Sequence, residues 1–422
     1  MTSFAYRDDR LFVEGVAVAE IAATVGSPCY IYSKHALCSA FRSFREALGP
    51  EEGLICYAVK ANGNLAMLSV LASLGAGFDI VSQGELERVV AAGGDASRVV
   101  FSGVGKTEAE MRRALALGIH CFNVESLPEL VRLNAVAEAM GLKAPVSLRV
   151  NPDVDARTHP YIATGLKENK FGLPIAEAIA LYGKGASFRG LRFVGVDCHI
   201  GSQLTDLRPF ADALDRVLPE VRRLREAGMD LEHIDVGGGL GICYQDETPP
   251  SVQAYVGLIK ERLAAHGLGG MNVLLEPGRA LVAASGILVT AIEYLKETAD
   301  KRFAIVDAGM NDLIRPALYG AWQRIIAVRK RPDQELLYDV VGPVCESADV
   351  LGRERSLAVK AGDILAVCDA GAYGFSMSSQ YNARPRPPEV LVDGERFYII
   401  RERETYEDLM RKEHIPRFRD DV

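Results

Sequence analysis

The chain predicts a parallel (β/α)8 TIM-type barrel joined to a second, mostly β (β-barrel-like) domain. Two observations carry this. Strand-like runs alternate with helical segments from about residue 54 to residue 275, and after residue 285 helical periodicity gives way to short strands with turn signals. The boundaries that follow are 35–285 for the barrel and 1–34 plus 286–422 for the β domain.

The strand-like runs fall at 54–59, 77–81, 98–101, 120–124, 145–150, 192–198, 233–236 and 273–275. Between them lie segments rich in Ala, Leu, Glu and Arg, such as 107–117, 126–139, 206–227 and 251–266, which read as helices. An open doubly wound sheet would share this alternation, but no G-x-G-x-x-G follows the first strand. Residues 1–34 predict one short strand, Cys29 to Tyr32, after Gly26–Pro28. Beyond 285, ILVTAIEYL, FAIVDAG, LYDVVGP, DILAVCDAG and EVLVDGERFYIIRE read as strands, and the N-terminal strand is a candidate to join them.

The length of 422 residues suits two domains, with 49% hydrophobic and 25% charged residues as in ordinary globular enzymes. A net charge of −8 without a basic cluster argues against nucleic-acid binding. The start, MTSFAYRDDR, lacks the apolar run of a signal peptide, and the longest apolar stretch, Ala280 to Ile292, is too short to span a bilayer. The eight cysteines are scattered without a Cys-x-x-Cys pair, so a reduced, cytoplasmic chain without a metal site is expected.

Chemistry collects at the C-terminal ends of the barrel strands, where barrel active sites sit. Strand one ends at Lys60; strand two at Asp79, Ser82 and Glu85; strand five at Arg149 and Asn151. Strand six ends at His199 and Ser202, strand seven in Gly237–Gly239, and strand eight in Glu276-Pro277-Gly278-Arg279. A lysine at a strand end is usually a surface residue. One that leaves an apolar strand into a barrel mouth is desolvated, loses its charge more easily and suits a Schiff base. The GGGLG loop bares backbone N–H groups that, with a helix N-terminus, favour a phosphate; a flexible turn is the plainer reading. His199 fits either a satisfied core or a flat ring to stack on. Glu276 fits a turn, or an acidic partner for the ring nitrogen of pyridoxal phosphate, which needs one to act as an electron sink. The second domain adds Asp307, Arg315 and Tyr319, the Cys345–Glu346 pair in a Gly-Pro turn, and Tyr373 between glycines. Arg315 and Tyr319 fit an ordinary surface pair; Cys345 reads as buried beside an acid, a candidate proton donor.

YAVKAN, FDIVSQGE, NPDVDARTHPYIATGLKENKFG, VGVDCHIGSQL, DVGGGLGI, EPGR, NDLIRPALYG, GPVCESAD and GAYGFSMSSQYN together resemble the diaminopimelate decarboxylases, in order from about residue 28 to residue 390. That family belongs to the alanine-racemase-like fold group of pyridoxal-phosphate enzymes. The resemblance implies decarboxylation of meso-2,6-diaminopimelate to L-lysine in lysine biosynthesis, by an obligate homodimer with active sites at its interface. It implies that Lys60 holds pyridoxal 5'-phosphate as a Schiff base and His199 stacks on the ring. Asp79, Ser202, Gly238, Gly239, Glu276, Pro277, Gly278, Arg279 and Tyr373 would surround the cofactor, with Glu276 at the ring nitrogen. Arg279, Arg315 and Tyr319 would bind the distal carboxylate and Glu346 the distal ammonium, with Tyr373 also near the substrate. Cys345 would supply a proton, reaching in with Glu346 from the partner subunit.

Decarboxylases of ornithine, arginine or carboxynorspermidine are the nearest alternative, but an ornithine site needs an acid for a distal ammonium and no cation for a distal carboxylate, and this chain offers both. A racemase of this fold group commonly sets an arginine at the ring nitrogen, where this chain offers Glu276. A non-catalytic cofactor carrier would not need Cys345, Glu346 or Tyr373.

Overall fold

The computed structural model describes residues 3–49, 52–155 and 170–416. Residues 156–169, the centre of the NPDVDARTHPYIATGLKENKFG motif, lie outside the described residues. Two compact units divide the chain. One comprises Lys34–Ser285 with Gly371–Ser376; the other comprises Met1–Ser33, Gly286–Ala370 and Met377–Val422.

The first unit is a closed parallel barrel. Its strands are Gly53–Ala58, Gly77–Ile80, Val99–Phe101, Cys121–Val124, Ala144–Asn151, Leu191–Asp197, His233–Asp235 and Asn272–Leu275. Each pairs in parallel with the next, and Asn272–Leu275 returns to Gly53–Ala58 to close the ring. Parallel strands are covered on both faces, which is why their sequences are apolar throughout rather than alternating. Gly77–Ile80, Val99–Phe101, Cys121–Val124 and His233–Asp235 are buried at every position. The helices start where side chains can satisfy their free N–H groups. Thr107 and Glu110 form a reciprocal capping box for Glu108–Leu117. Ser126 caps Leu127–Met140, and Ser251 caps Val252–Ala265. The long helix Arg208–Glu226 presents Phe210, Leu214, Val217, Leu218 and Val221 to the barrel wall. Those four helices stand within two residues of their predicted bounds.

In the second unit, Gly286–Glu297 lies at the centre of a sheet, antiparallel to Cys29–Ser33 and Arg302–Val306. Cys29–Ser33 continues in parallel to Glu389–Asp393. The N-terminal strand therefore joins the β sheet, as the sequence suggested. Its approach is richer than expected. Phe4–Arg7, Arg10–Val13 and Val16–Ala17 form a small meander, followed by the helix Val18–Val25. These strands are too short for periodicity to reveal, and their tight turns place Asp8, Asp9 and Glu14 at positive φ without glycine. Leu11, Val13, Val18 and Ile21 pack with Ile31, Ile287, Val289 and Val390 as one apolar core. Among the described residues, no helix is long and apolar enough to cross a membrane.

One buried cation knits the barrel wall. Lys106 is 4% exposed and donates to Glu129 Oε1 at 2.8 Å and to the carbonyls of Gly103 and Asn123 at 2.7 Å. Lys106→Met leaves the Glu129 carboxylate buried and unpaired. It is expected to destabilise the protein by about 3 kcal/mol or more, read as a lower urea midpoint by circular dichroism.

Candidate active site

Strand Gly53–Ala58 runs directly into a single 3-10 turn, Val59–Ala61, with Lys60 at its middle. The residues behind it are turn chemistry. Asn62 Oδ1 accepts the Asn64 N–H at 3.0 Å, and Asn64 Oδ1 accepts the Ala66 N–H at 2.9 Å to cap the next helix. The lysine thus stands where the chain leaves the barrel, held by structure on both sides. Its Nζ donates to Asp79 Oδ2 at 2.5 Å. Asp79 is fully buried at the end of the next strand, while the Lys60 side chain is 40% exposed at the barrel mouth. Asp79 Oδ1 has no hydrogen-bond partner among the described residues.

This pairing corrects the expected route to reactivity. Burial does push the lysine toward losing its charge, but the Asp79 and Glu276 carboxylates and the Tyr373 phenol outweigh it. The Lys60 ammonium is held above its ordinary range. In the protein without cofactor Lys60 is a charged, carboxylate-bound amine.

His199 is the opposite case. Burial and the Arg149 and Lys60 charges hold its imidazole well below the usual range, so the ring is neutral. Its Nδ1 accepts the Gly238 N–H at 3.1 Å, which ties the ring to the glycine loop. That loop tolerates no side chain. A Cβ at Gly237 would stand 2.5 Å from His199 Nδ1, and one at Gly238 would stand 2.3 Å from the Glu276 carbonyl oxygen. Gly237 and Gly239 also adopt φ of 65° and 106°. The loop does not lead into a helix as expected; the next one begins at Val252. Any anion held here meets a loop rather than a helix terminus, and the Gly237 and Gly238 N–H groups of that loop are already given to Asp235 and His199.

Opposite the loop, Arg279 Nη2 donates to Ser202 Oγ at 3.0 Å and its Nη1 to the Tyr244 hydroxyl at 2.8 Å. Its guanidinium lies 4.9 Å from the centre of the Tyr373 ring. Tyr373 holds a positive φ of 55° and donates its N–H to the Ala61 carbonyl at 2.8 Å. The segment Gly371–Ser376 therefore packs with the barrel and not with the β unit in which it was expected. Gly278 packs close, its notional Cβ 3.1 Å from the Cβ atoms of Ala58 and Ala61, and Pro277 accepts the Ala58 N–H at 3.2 Å.

Glu276 lies at the base, 7% exposed. Its Oε1 accepts from Ser102 Oγ at 3.3 Å and Asn123 Nδ2 at 3.4 Å. Asp197, Asp235 and Glu276 bring carboxylate oxygens within 4.8 Å of one another. Arg149 spans Glu125 at 3.2 Å and Asp197 at 3.8 Å. Burial, Asp235 and Asp79 together hold the Glu276 carboxyl well above the usual carboxylate range.

The barrel thus brings together Lys60, Asp79, His199, Ser202, Gly238, Gly239, Glu276, Pro277, Gly278, Arg279 and Tyr373. Ser82 and Glu85 serve locally: Ser82 caps Gln83–Ala91, and Glu85 accepts the Val81 N–H at 2.7 Å. Ser102, Asn123, Glu125, Asp197, Asp235 and Tyr244 were missed. For all but Tyr244, which lies in the loop after Gly237–Gly239, the one signal is a polar residue inside or just past an apolar strand, as in CFNVE.

The other four candidates belong to the β unit. Arg315 is buried at the start of the short helix Arg315–Tyr319. Cys345 is exposed, not buried as the sequence suggested, because its Gly-Pro turn lies on the surface of its unit. Its N–H donates to Asn382 Oδ1 at 2.9 Å, and the Glu346 carboxylate accepts from the Tyr381 hydroxyl.

The residues present fit a flat cofactor with an aldehyde, a ring nitrogen and an anionic group. An amine, a neutral ring, a buried acid and a glycine cradle share one rim. Comparison with known proteins agrees. Residues 34–283 match the family model described as pyridoxal-dependent decarboxylase, pyridoxal binding domain. Diaminopimelate decarboxylase of Pseudomonas aeruginosa is 58% identical over 97% of this chain and 98% of its own. That of Vibrio cholerae is 55% identical over 98% and 99%. Among solved structures, diaminopimelate decarboxylase from Helicobacter pylori complexed with L-lysine is similar at a TM-score of 0.90 and 44% identity, over 93% of this chain and 98% of that one. The enzyme from M. jannaschii in co-complex with L-lysine reaches a TM-score of 0.93 at 39% identity, over 98% of each.

Replacing Asp79 with Asn removes the largest influence that keeps Lys60 charged and leaves burial opposed only by Glu276 and Tyr373. The Lys60 pKa is then expected to fall. Without cofactor, at about pH 8, Asp79→Asn should label at Lys60 with trinitrobenzenesulfonate several-fold faster than the unaltered protein, by peptide mapping. An unchanged rate would show that Asp79 does not set the charge.

Proposed function

Since the chain belongs to the diaminopimelate decarboxylases among the pyridoxal-dependent decarboxylases, we propose that it converts meso-2,6-diaminopimelate to L-lysine and CO2 with the residues gathered at its barrel mouth. The reaction is the last step of lysine biosynthesis. The observation that carries the reading is the lysine amine at the rim, set against Asp79 and Glu276 in one buried charge system. When bound, pyridoxal phosphate supplies an aldehyde carbon that condenses with an amine and a ring that takes up the electron pair left by departing CO2.

The chain's own residues divide the remaining work. Lys60 is the amine that tethers the aldehyde and gives way to the substrate amine. Gly238, Gly239, Ser202, Arg279, the Pro277–Gly278 turn and Tyr373 hold the phosphate. His199, being neutral, offers a flat face to the ring without adding charge. Glu276 faces the ring nitrogen, and Asp79 balances the charge of Lys60. In the substrate, Arg279, Arg315 and Tyr319 hold the distal carboxylate and Glu346 the distal ammonium, with Tyr373 alongside. Cys345 gives a proton to the carbon that CO2 leaves. A cation and an acid together select a symmetric diamino diacid over ornithine, which lacks the second carboxylate.

Residues 35–285 are the cofactor-binding domain in this reading, and 1–34 with 286–422 supply substrate and interface residues. The working unit is a homodimer in which Cys345 and Glu346 complete the site of the neighbouring subunit. Their exposure on their own unit supports that arrangement. The eight cysteines are free thiols, six of them buried, which suits the reducing cytoplasm.

Borohydride reduction of the cofactor-loaded protein should fix the pyridoxyl group on the peptide carrying Lys60 and on no other lysine. Lys60→Ala should lose this label and lower CO2 release by about four orders of magnitude or more. A label on a different lysine would move the tether elsewhere.

A further inference from the structure

Beneath the site, the charges of the barrel interior do not balance by pairing. Lys60 is bound to Asp79, Lys106 to Glu129, and Arg149 to Glu125 and, at longer range, Asp197. Among the described residues no cation forms an ion pair with Asp235 or Glu276, although these carboxyls are buried and lie within 4.8 Å of each other and of Asp197. Two carboxylates that close, in a low-dielectric interior, do not both stay ionised; a shared proton is the remaining counter-charge.

The hydrogen bonds show which member carries the charge. Asp235 accepts the Gly237 N–H at 2.9 Å on one oxygen and the Asn123 side-chain N–H at 3.3 Å on the other. A carboxylate oxygen of Asp235 lies within 4.8 Å of one of Glu276. The Gly237 N–H is the shortest of the donors to either carboxyl and reaches Asp235, while both donors to Glu276 crowd one oxygen at 3.3 and 3.4 Å, so the charge is better held on Asp235 and the proton on Glu276. Asn123 also donates to Glu276 Oε1, and Ser102 donates to the same oxygen.

We propose that Asp235 is a positioning residue for the reaction: as the anionic half of a one-proton pair it keeps Glu276 a neutral acid, ready to protonate the ring nitrogen of the cofactor. The inference rests on the assignment of Glu276 to that nitrogen. Glu276 passes its proton to the nitrogen lone pair and becomes a carboxylate, and the new N–H donates back to it. Asp235 keeps its charge throughout. Two anions then stand behind the ring nitrogen, so its proton persists to higher pH than one carboxylate alone would hold it.

The direction of the titrations agrees. Burial and the neighbouring Asp197 push Asp235 up to about 7, and Glu276 is held well above its ordinary range. The groups acting on this pair are Asp79, Lys60, Arg149 and Asp197, the last itself pushed well above its ordinary range by burial and Glu276. Cys56, Cys121 and Tyr255 face Asp235 as neutral groups, each raised by burial.

The test reads the pair with and without cofactor. In the cofactor-free protein at neutral pH, infrared difference spectra with isotope-labelled glutamate should show the carbonyl stretch of a neutral carboxyl. Glu276→Gln should abolish it. In Asp235→Asn the band should vanish at lower pH than in the unaltered protein, since Glu276 keeps its burial and the Asp79 carboxylate but loses its anionic pair partner, and Asp235→Glu should restore it. In the loaded protein with a nitrogen-labelled ring, the ring nitrogen should lose its proton at lower pH in Asp235→Asn than in the unaltered protein. A band absent from the unaltered protein, or lost at the same pH in an Asp235→Asn that folds by circular dichroism, would overturn the proposal. If Asp235→Asn does not fold, Asp235→Glu and Glu276→Gln decide: a band lost in the second and kept in the first supports the pair, and a band kept in both refutes it. Borohydride labelling at Lys60 reports separately on the cofactor assignment, so failure of the pair and failure of that assignment are distinguishable.

Discussion

The charge system of the barrel mouth is the constraint on which the site depends. Lys60 and Asp79 meet at 2.5 Å, with Asp79 fully buried. A buried carboxylate without a partner would cost several kcal/mol, so the pair holds strand ends one and two in register at the rim. The same carboxylate fixes the protonation of the lysine. Desolvation pushes Lys60 toward losing its charge, and Asp79, its hydrogen-bonded partner, does most to hold it charged. The protein thereby stores a cation that a tethered cofactor takes over, rather than an exposed nucleophile open to any electrophile.

The barrel turns this into a site because every parallel strand points its C-terminal end to one face. No long-range folding of loops is needed to bring Lys60, His199, Gly238 and Glu276 together; strand order does it. The glycines then remove what would block the approach. Side chains at Gly237 and Gly238 would collide with His199 and the Glu276 carbonyl, so the loop, the histidine and the acid are fitted as one piece. The neutral state of His199 follows from burial first, and the Arg149 and Lys60 cations add to it by repelling a protonated imidazole.

Much of this was legible in the chain. The eight strand runs, the four helices and the change of texture after residue 285 are short-range features, set by burial on both faces and, for three of the helices, by Ser or Thr caps. Lys60, the glycine loop and Glu276 announce themselves because their residue types are unusual at strand ends. The partners beneath them do not. Asn123 and Asp197 are single polar residues in apolar strands, and only closure of the barrel shows that Asn123 reaches both Asp235 and Glu276. The direction of the Lys60 shift was also misjudged: Asp79 and Glu276 were visible at neighbouring strand ends, but the 2.5 Å pairing of Asp79 with the amine was not. Cys345 looked buried from its apolar neighbours, but its turn lies at the surface. The N-terminal meander was too short to carry a period.

The central claim is a reaction on one substrate, and product analysis tests it most directly. Purified protein with pyridoxal phosphate is given meso-diaminopimelate, ornithine, arginine or lysine in parallel, with CO2 and the amine product followed. The account predicts CO2 and L-lysine in equal amounts from diaminopimelate alone. CO2 from ornithine or arginine in place of diaminopimelate, or no CO2 from any of them with the cofactor bound at Lys60, would contradict it.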